Sequence, residues 1–245
     1  MTNLDAKAAV SGPAVSFDTE LERELVARYF SGRRGVFVDV GAFDPVLGSQ
    51  TWHLEQLGWD GLLVEPNAEM AAKLRTVRKA RVVEAACGSP TQHGTTMTFQ
   101  VNGPYSTLGD DIWEPGILAH ETRKVPVVTL DSLLEQSGIR TVNFVSIDVE
   151  GFEVNVLEGF SLERYRPALV LIEDHAHDRS RHRHMVGRAY KRVRRTGLNS
   201  WYVPKETDFP ISLFGRLQFL RKFVLGVPPR IVKRRWRKFR ARPTS

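Results

Sequence analysis

The chain has 245 residues, 42% of them hydrophobic, and a net charge of +7. That is enough for one α/β domain with a full core, with or without an appendage. The single cysteine, Cys87, excludes an internal disulfide framework, and the longest apolar runs, such as ALVLI, are too short to span a bilayer. With no basic-then-apolar start in MTNLDAKAAVSGPAVSF, a cytoplasmic location is expected.

FDTELERELVARYF (17–30) has helical spacing at Leu21, Leu25, Val26 and Tyr29. GVFVDVG then predicts a buried strand, SQTWHLEQLG a helix closed by Gly58, and GLLVE a second strand. NAEMAAKLRTV predicts a helix capped by Asn67, and ARVVEAA a third strand. TTMTFQV reads as an added strand and NGPYSTLGDDIWEPG as a long loop. TLDSLLEQSG predicts a helix, VNFVSIDVEG a strand, FEVNVLEGF a short helix and ALVLIED a strand. HMVGRAYKRVRRTG predicts a basic helix ending at Gly197, and SWYVP a last strand. The alternation predicts a doubly wound, Rossmann-like α/β fold with a mostly parallel seven-stranded sheet and helices on both faces. The expected division is a helical lead-in over 1–34, the α/β domain over 35–208 and a basic tail over 209–245.

Strand, glycine turn, helix and then an acid at the next strand end is the nucleoside-binding plan of an open α/β sheet. Gly41 lets a ligand approach the backbone, and Glu65, 24 residues later, can accept from both ribose hydroxyls. A dinucleotide would need a second glycine where Phe43 stands, and Asp44 would repel its phosphates. A nucleoside without phosphates is expected. S-adenosylmethionine fits, with Asp39 pairing its amino group. Singly, Asp39 also reads as an acid fixing the following loop and Glu65 as a cap before Pro66. The expected cofactor-binding set is Asp39, Gly41, Phe43, Ser49, Glu65, Pro66, Ala86 and Asp148.

GVFVDVGAFDPVLGSQTWHLEQLGWDGLLVEPN, VTLDSLLEQSGIRTVNFVSIDVEGFEVNVLEGF and RPALVLIED resemble, in this order, the FkbM family of class I S-adenosylmethionine-dependent methyltransferases. IDVEGFEVNVLEG is the most specific block, and the family usually carries Asn where Phe43 stands. The resemblance implies O-methylation of a sugar hydroxyl in a glycolipid, polysaccharide or natural product.

A sugar hydroxyl needs alignment with the methyl group and help with its proton. Asp148 ends the fourth strand, followed by Glu150 and Glu153; Glu173, Asp174, His175 and His177 follow the fifth. Acids after these two strands are similar to those of metal-dependent catechol-type methyltransferases. Asp148, Glu173 and Asp174 can hold a divalent cation such as Mg²⁺; without a metal, Asp148 or His175 is the general base. Glu150 and Glu153 also read simply as acids at a helix start. HDRSRHRH (177–184) reads as a solvated basic helix start, and Tyr105 and Ser106 are candidates for the acceptor site.

From Phe209 onward there is no Asp or Glu, and 11 Lys and Arg alternate with Leu, Phe, Val and Trp. Such a segment can lie on an anionic membrane surface, peripheral to the inner face. Nucleic-acid methylation is the rival reading, but DVEG stands where base-amino methyltransferases carry a Pro-Pro-Tyr/Phe motif, so no nucleic acid is expected. A non-catalytic module with the same fold is the third reading.

Overall fold

The computed structural model describes residues 17–109, 121–174 and 178–211, together with Leu217, Leu220 and Arg221. Helix α1 (Phe17–Phe30) leads into strand β1 (Val36–Val40), then α2 (Trp52–Gln56), β2 (Asp60–Val64), α3 (Ala68–Val77) and β3 (Arg81–Val83). The second half adds α4 (Leu130–Gln136), β8 (Phe144–Ile147), α5 (Glu153–Glu158), α6 (Leu162–Tyr165) and β9 (Leu169–Glu173). It closes with α7 (Ser180–Gly187) and the hairpin β10 (Tyr190–Thr196) and β11 (Asn199–Pro204). The seven strands lie in the order β10-β11-β9-β8-β1-β2-β3. β1, β2, β3, β8 and β9 run parallel, while β11 is antiparallel to both of its neighbours. The sheet is therefore mixed.

Two cores follow from the two-residue period of the strands. Val38, Val40, Val145, Ile147, Val170 and Ile172 pack on one face with residues of α4, α5, α6 and α7. Phe37, Leu63, Phe144, Leu169 and Leu171 pack on the other with Val26, Phe30, Leu54 and Leu74 of α1, α2 and α3. Helices thus cover both faces, as expected. Asn67 caps α3, its side chain accepting from the amides of Glu69 and Met70.

Three expectations need correction, and one strand was not foreseen. ARVVEAA is not one strand: β3 ends at Val83, and β4 (Ala86–Cys87) belongs to a second sheet with β5 (Thr96–Val101), β6 (Thr107–Leu108) and β7 (Glu121–Val128), in the order β4-β7-β5-β6. β6 lies within the stretch expected to be only loop. β7, ETRKVPVV, carries three charged residues and a proline, so it gives no strand signal. Pro126 stands where the pairing of β7 with β5 gives way to its pairing with β4. Finally, the expected basic helix ends at Gly187, and residues 190–196 form β10, because pairing with β11 outweighs their weak helix preference.

The expected tail lies almost wholly outside the described residues. Phe209 and Ile211 pack against the core on the α1 side, with the Phe209 and Tyr29 rings 6.1 Å apart. No helix among the described residues is long and apolar enough to cross a membrane.

Candidate active site

Gly41 follows β1, Glu65 follows β2, Asp148 follows β8, and Glu173 and Asp174 stand at the end of β9. The chain leaves β1 toward β2 on one side, while β8 pairs with β1 on the other. This reversal is the switch point where open α/β sheets bind ligands. A cavity of about 520 Å³, counted with its mouth, lies between these strand ends and the second sheet. Small-molecule sites are on the order of 300–1,000 Å³. Gly41, Phe43, Glu65, Pro66, Asp148 and Glu150 line one part of it. Ala85, Ala86, Cys87 and Phe99 give it an apolar part, and Pro104, Ser106, Thr107 and Leu108 a further wall.

Glu65 is buried, and each of its oxygens accepts one backbone N–H: Oε2 from Phe43 and Oε1 from Asn67, both at 2.8 Å. A carboxylate has about four acceptor positions, so both oxygens keep capacity toward the cavity. Burial pushes its pKa up to about 7, against the pull of the two amides. The bond to Phe43 also secures an unusual backbone, because Phe43 has φ +45°. Gly41, with φ +83°, is required for a reason beyond the expected one: a Cβ there would overlap the carbonyl oxygen of Asp148. The glycine admits a neighbouring strand end as well as lining the cavity.

Asp39 and Ser49 do not line the cavity. Asp39 lies on the α1–α3 face, where its Oδ2 accepts from Thr51 Oγ1 at 2.7 Å. Burial raises its pKa against the Thr51 bond and the Arg78 charge. Ser49 Oγ accepts from the Trp52 amide and from Arg78 Nη1. Arg78, at the end of α3, is buried; it donates to Thr51, Ser49 and the Pro45 carbonyl and pairs with Glu55 at 3.2 Å. Arg23 of α1 holds the carbonyls of Val46 and Ser49, and Lys73 holds Asp44 at 2.6 Å. Asp39 and Ser49 therefore help to fix the loop after β1, the plainer role open to Asp39 from sequence.

Asp148, Glu150 and Glu173 converge, with one carboxylate oxygen of each within 4.8 Å of the others. Asp148 keeps accessible surface on its cavity side, while protein elsewhere withdraws it from bulk water. Its pKa lies well above the usual carboxylate range, because of that desolvation and then the charges of Glu173, Glu150, Glu153 and Asp39. Asp174 is not part of the group. Successive residues at a strand end point to opposite faces, and Asp174 Oδ2 accepts from Ser200 at 2.9 Å and Arg192 at 3.2 Å. Glu150 takes its place in the cluster. A signal for this is present in Glu150-Gly151, which have φ +50° and +104° and turn the chain back toward the cavity. Thr107 Oγ1 donates to the Glu150 carbonyl at 2.8 Å, tying the second sheet to this turn.

Glu153 stands in the first turn of α5, as the plainer reading expected, but it is buried, and Arg181 is not a solvated base. The two form a buried ion pair, and Glu153 Oε1 also accepts the Gly151 amide at 2.9 Å. Of the acceptor-site candidates, Ser106 lines the cavity and Tyr105 is exposed away from its lining. His175 and His177 lie outside the described residues. Cys87 is buried at the apolar part, which pushes its thiol up to about 12.

A doubly wound sheet with a cavity at its switch point and a buried acid after the second strand is the arrangement in which open α/β proteins bind ligands. The chain belongs to the FkbM methyltransferase family: the description Methyltransferase FkbM domain matches residues 39–197. The crystal structure of Methyltransferase FkbM from Methylobacillus flagellatus KT is similar at 16% sequence identity and a TM-score of 0.45, over 74% of this chain and 47% of that one. This chain thus spans about half the length of that protein. No curated protein matches the chain.

Proposed function

We propose that the protein is an S-adenosylmethionine-dependent O-methyltransferase acting on a sugar hydroxyl of a glycolipid, polysaccharide or glycosylated natural product. The observation that carries this reading is Glu65, a buried cavity-wall carboxylate oriented by two amides with acceptor capacity left over. That suits a ribose diol. Ala85, Ala86, Cys87 and Phe99 offer an apolar surface suited to a purine. Phe43 stands where a phosphate-binding glycine would be needed, and the acids lining the cavity suit a cationic cofactor rather than one bearing phosphates. When bound, S-adenosylmethionine supplies an electrophilic methyl group.

The protein's own task is to align the acceptor oxygen and receive its proton. Asp148 suits the second role, since a raised pKa makes it a stronger base than an ordinary carboxylate. The convergence of Asp148, Glu150 and Glu173 supports a second reading, in which their oxygens hold a hard divalent cation such as Mg²⁺. The basic tail after Phe209 is proposed to meet an anionic membrane surface carrying the acceptor.

Calorimetry with S-adenosylmethionine, followed by transfer to a saccharide panel read as a one-methyl mass gain, tests the proposal. Absence of cofactor binding refutes it at the first step. Methyl transfer only to RNA or DNA refutes the acceptor class. Full activity after exhaustive chelation removes the cation and leaves Asp148 as base.

A further inference from the structure

The charges around the cavity point to the chemistry of the acceptor, and this inference rests on the methyltransferase reading above. Among the described residues lining the cavity there are three acids, Glu65, Asp148 and Glu150, and no Lys, Arg or His. Glu173 adds a fourth carboxylate beside Asp148 and Glu150. Arg181, the buried base behind this group, is engaged by Glu153 and by Asp178 at 3.1 Å. The second-sheet wall presents Ser106, Thr107 and Leu108, groups that hydrogen-bond or pack without charge. An acceptor hydroxyl must come within a few ångströms of the transferred methyl group. Any charge carried on the same sugar ring is then felt by the carboxylates through partly desolvated surroundings, where screening is weak.

We infer that the site takes an acceptor sugar with no anionic group on the reacting ring, neutral or amine-bearing, and discriminates against uronates and sugar phosphates. The usual anion-binding devices, a glycine-rich turn or a bidentate arginine, are missing from the described part of the cavity.

The test uses the full chain and matched methyl glycosides of glucose, galactose and mannose, each as the neutral sugar, the 2-amino sugar, the uronate and the 6-phosphate. For each we would measure kcat/KM for methyl transfer, and acceptor affinity by calorimetry with S-adenosylhomocysteine present. The expected result is at least about a tenfold preference for the neutral or amine-bearing member over its anionic partners, on both readouts. The gap should narrow in high salt and in Glu150→Gln, and calorimetry keeps this variant informative if its turnover is lost. Anionic members bound and methylated as well as neutral ones would overturn the inference. Cofactor binding with transfer to no sugar in the panel would overturn the saccharide reading and this inference with it; loss of cofactor binding would instead fault the cofactor site.

Discussion

Gly41 and the carbonyl of Asp148 approach each other across β1 and β8 so closely that no side chain fits between them. The two residues that open the cavity from the central strands therefore fix each other's position. Gly41→Ala is expected to destabilise the protein by roughly 2–5 kcal/mol, combining a left-handed backbone with overpacking. Gly48→Ala is the control: it shares the positive φ, at +75°, but meets nothing within 4 Å. It should cost only about 1–2 kcal/mol. Urea denaturation of both variants checks the difference; equal losses would show that the contact with Asp148 is unimportant.

Glu65 predicts a pH dependence with a definite sign. Its folded pKa of about 7 lies above the ordinary value, so between these values the folded state holds a proton that the unfolded state releases. Stability from this group therefore falls as pH rises from about 4.5 to about 7, by on the order of 3 kcal/mol. Ribose hydroxyls donate best to the ionised form, so nucleoside affinity should run the other way and rise with pH through about 7. Methylthioadenosine, which has no titrating amino-acid part, is the suitable probe. Wild type should bind it more tightly at pH 8 than at pH 6, whereas Glu65→Gln should bind it weakly and without that slope.

Arg181 and Glu153 predict an asymmetry between breaking and replacing a buried pair. Arg181→Met leaves the Glu153 carboxylate buried without its partner and should cost about 3–5 kcal/mol. Adding Glu153→Gln should recover most of that loss, because the amide oxygen can still accept the Gly151 N–H. A double-mutant cycle read by denaturant unfolding measures the coupling. Additive losses would show that the ion pair contributes nothing.

Asp148→Asn is expected to keep cofactor affinity within a few-fold of wild type and to lose methyl transfer. The carboxylate stands at the acid cluster, whereas the carboxylate proposed to meet the ribose is Glu65. Calorimetry and a transfer assay on the same preparation separate the two effects. Full turnover by the variant would exclude Asp148 as the base.

The tail predicts binding to vesicles. Each Lys or Arg near an anionic surface contributes about 1 kcal/mol, and the stretch after Phe209 carries 11 of them without an acid. Sedimentation with anionic vesicles should exceed that with neutral ones, and salt should weaken it. Removing residues 216–245 should abolish it and leave cofactor affinity unchanged, since Phe209 and Ile211, which pack on the core, are retained. Equal sedimentation with both vesicle types would refute the membrane role.

The parallel strands, the capping of α3 by Asn67 and the acids at the strand ends were legible because each depends on local periodicity or on a residue's place after a strand. β10 was not, because Tyr190–Thr196 has no strong local preference and becomes a strand through pairing with β11. β7 was hidden for a similar reason, its charges and Pro126 being tolerated only beside β5 and β4.

The sequence by itself determined the doubly wound plan and the assignment of Gly41, Glu65 and Asp148 to the ends of the strands, since the alternation of elements and the strand ends follow from patterning. Only the tertiary structure decided which acids face the cavity. Asp39 turns to Thr51, 12 residues on, and lies near Arg78; Asp174 turns to Arg192 and Ser200; Glu150 joins Asp148 and Glu173 through a left-handed turn. For Asp39 and Asp174 the direction of the carboxylate is set by the donor or cation that the fold brings beside it from elsewhere in the chain, and for Glu150 by the backbone of its own turn.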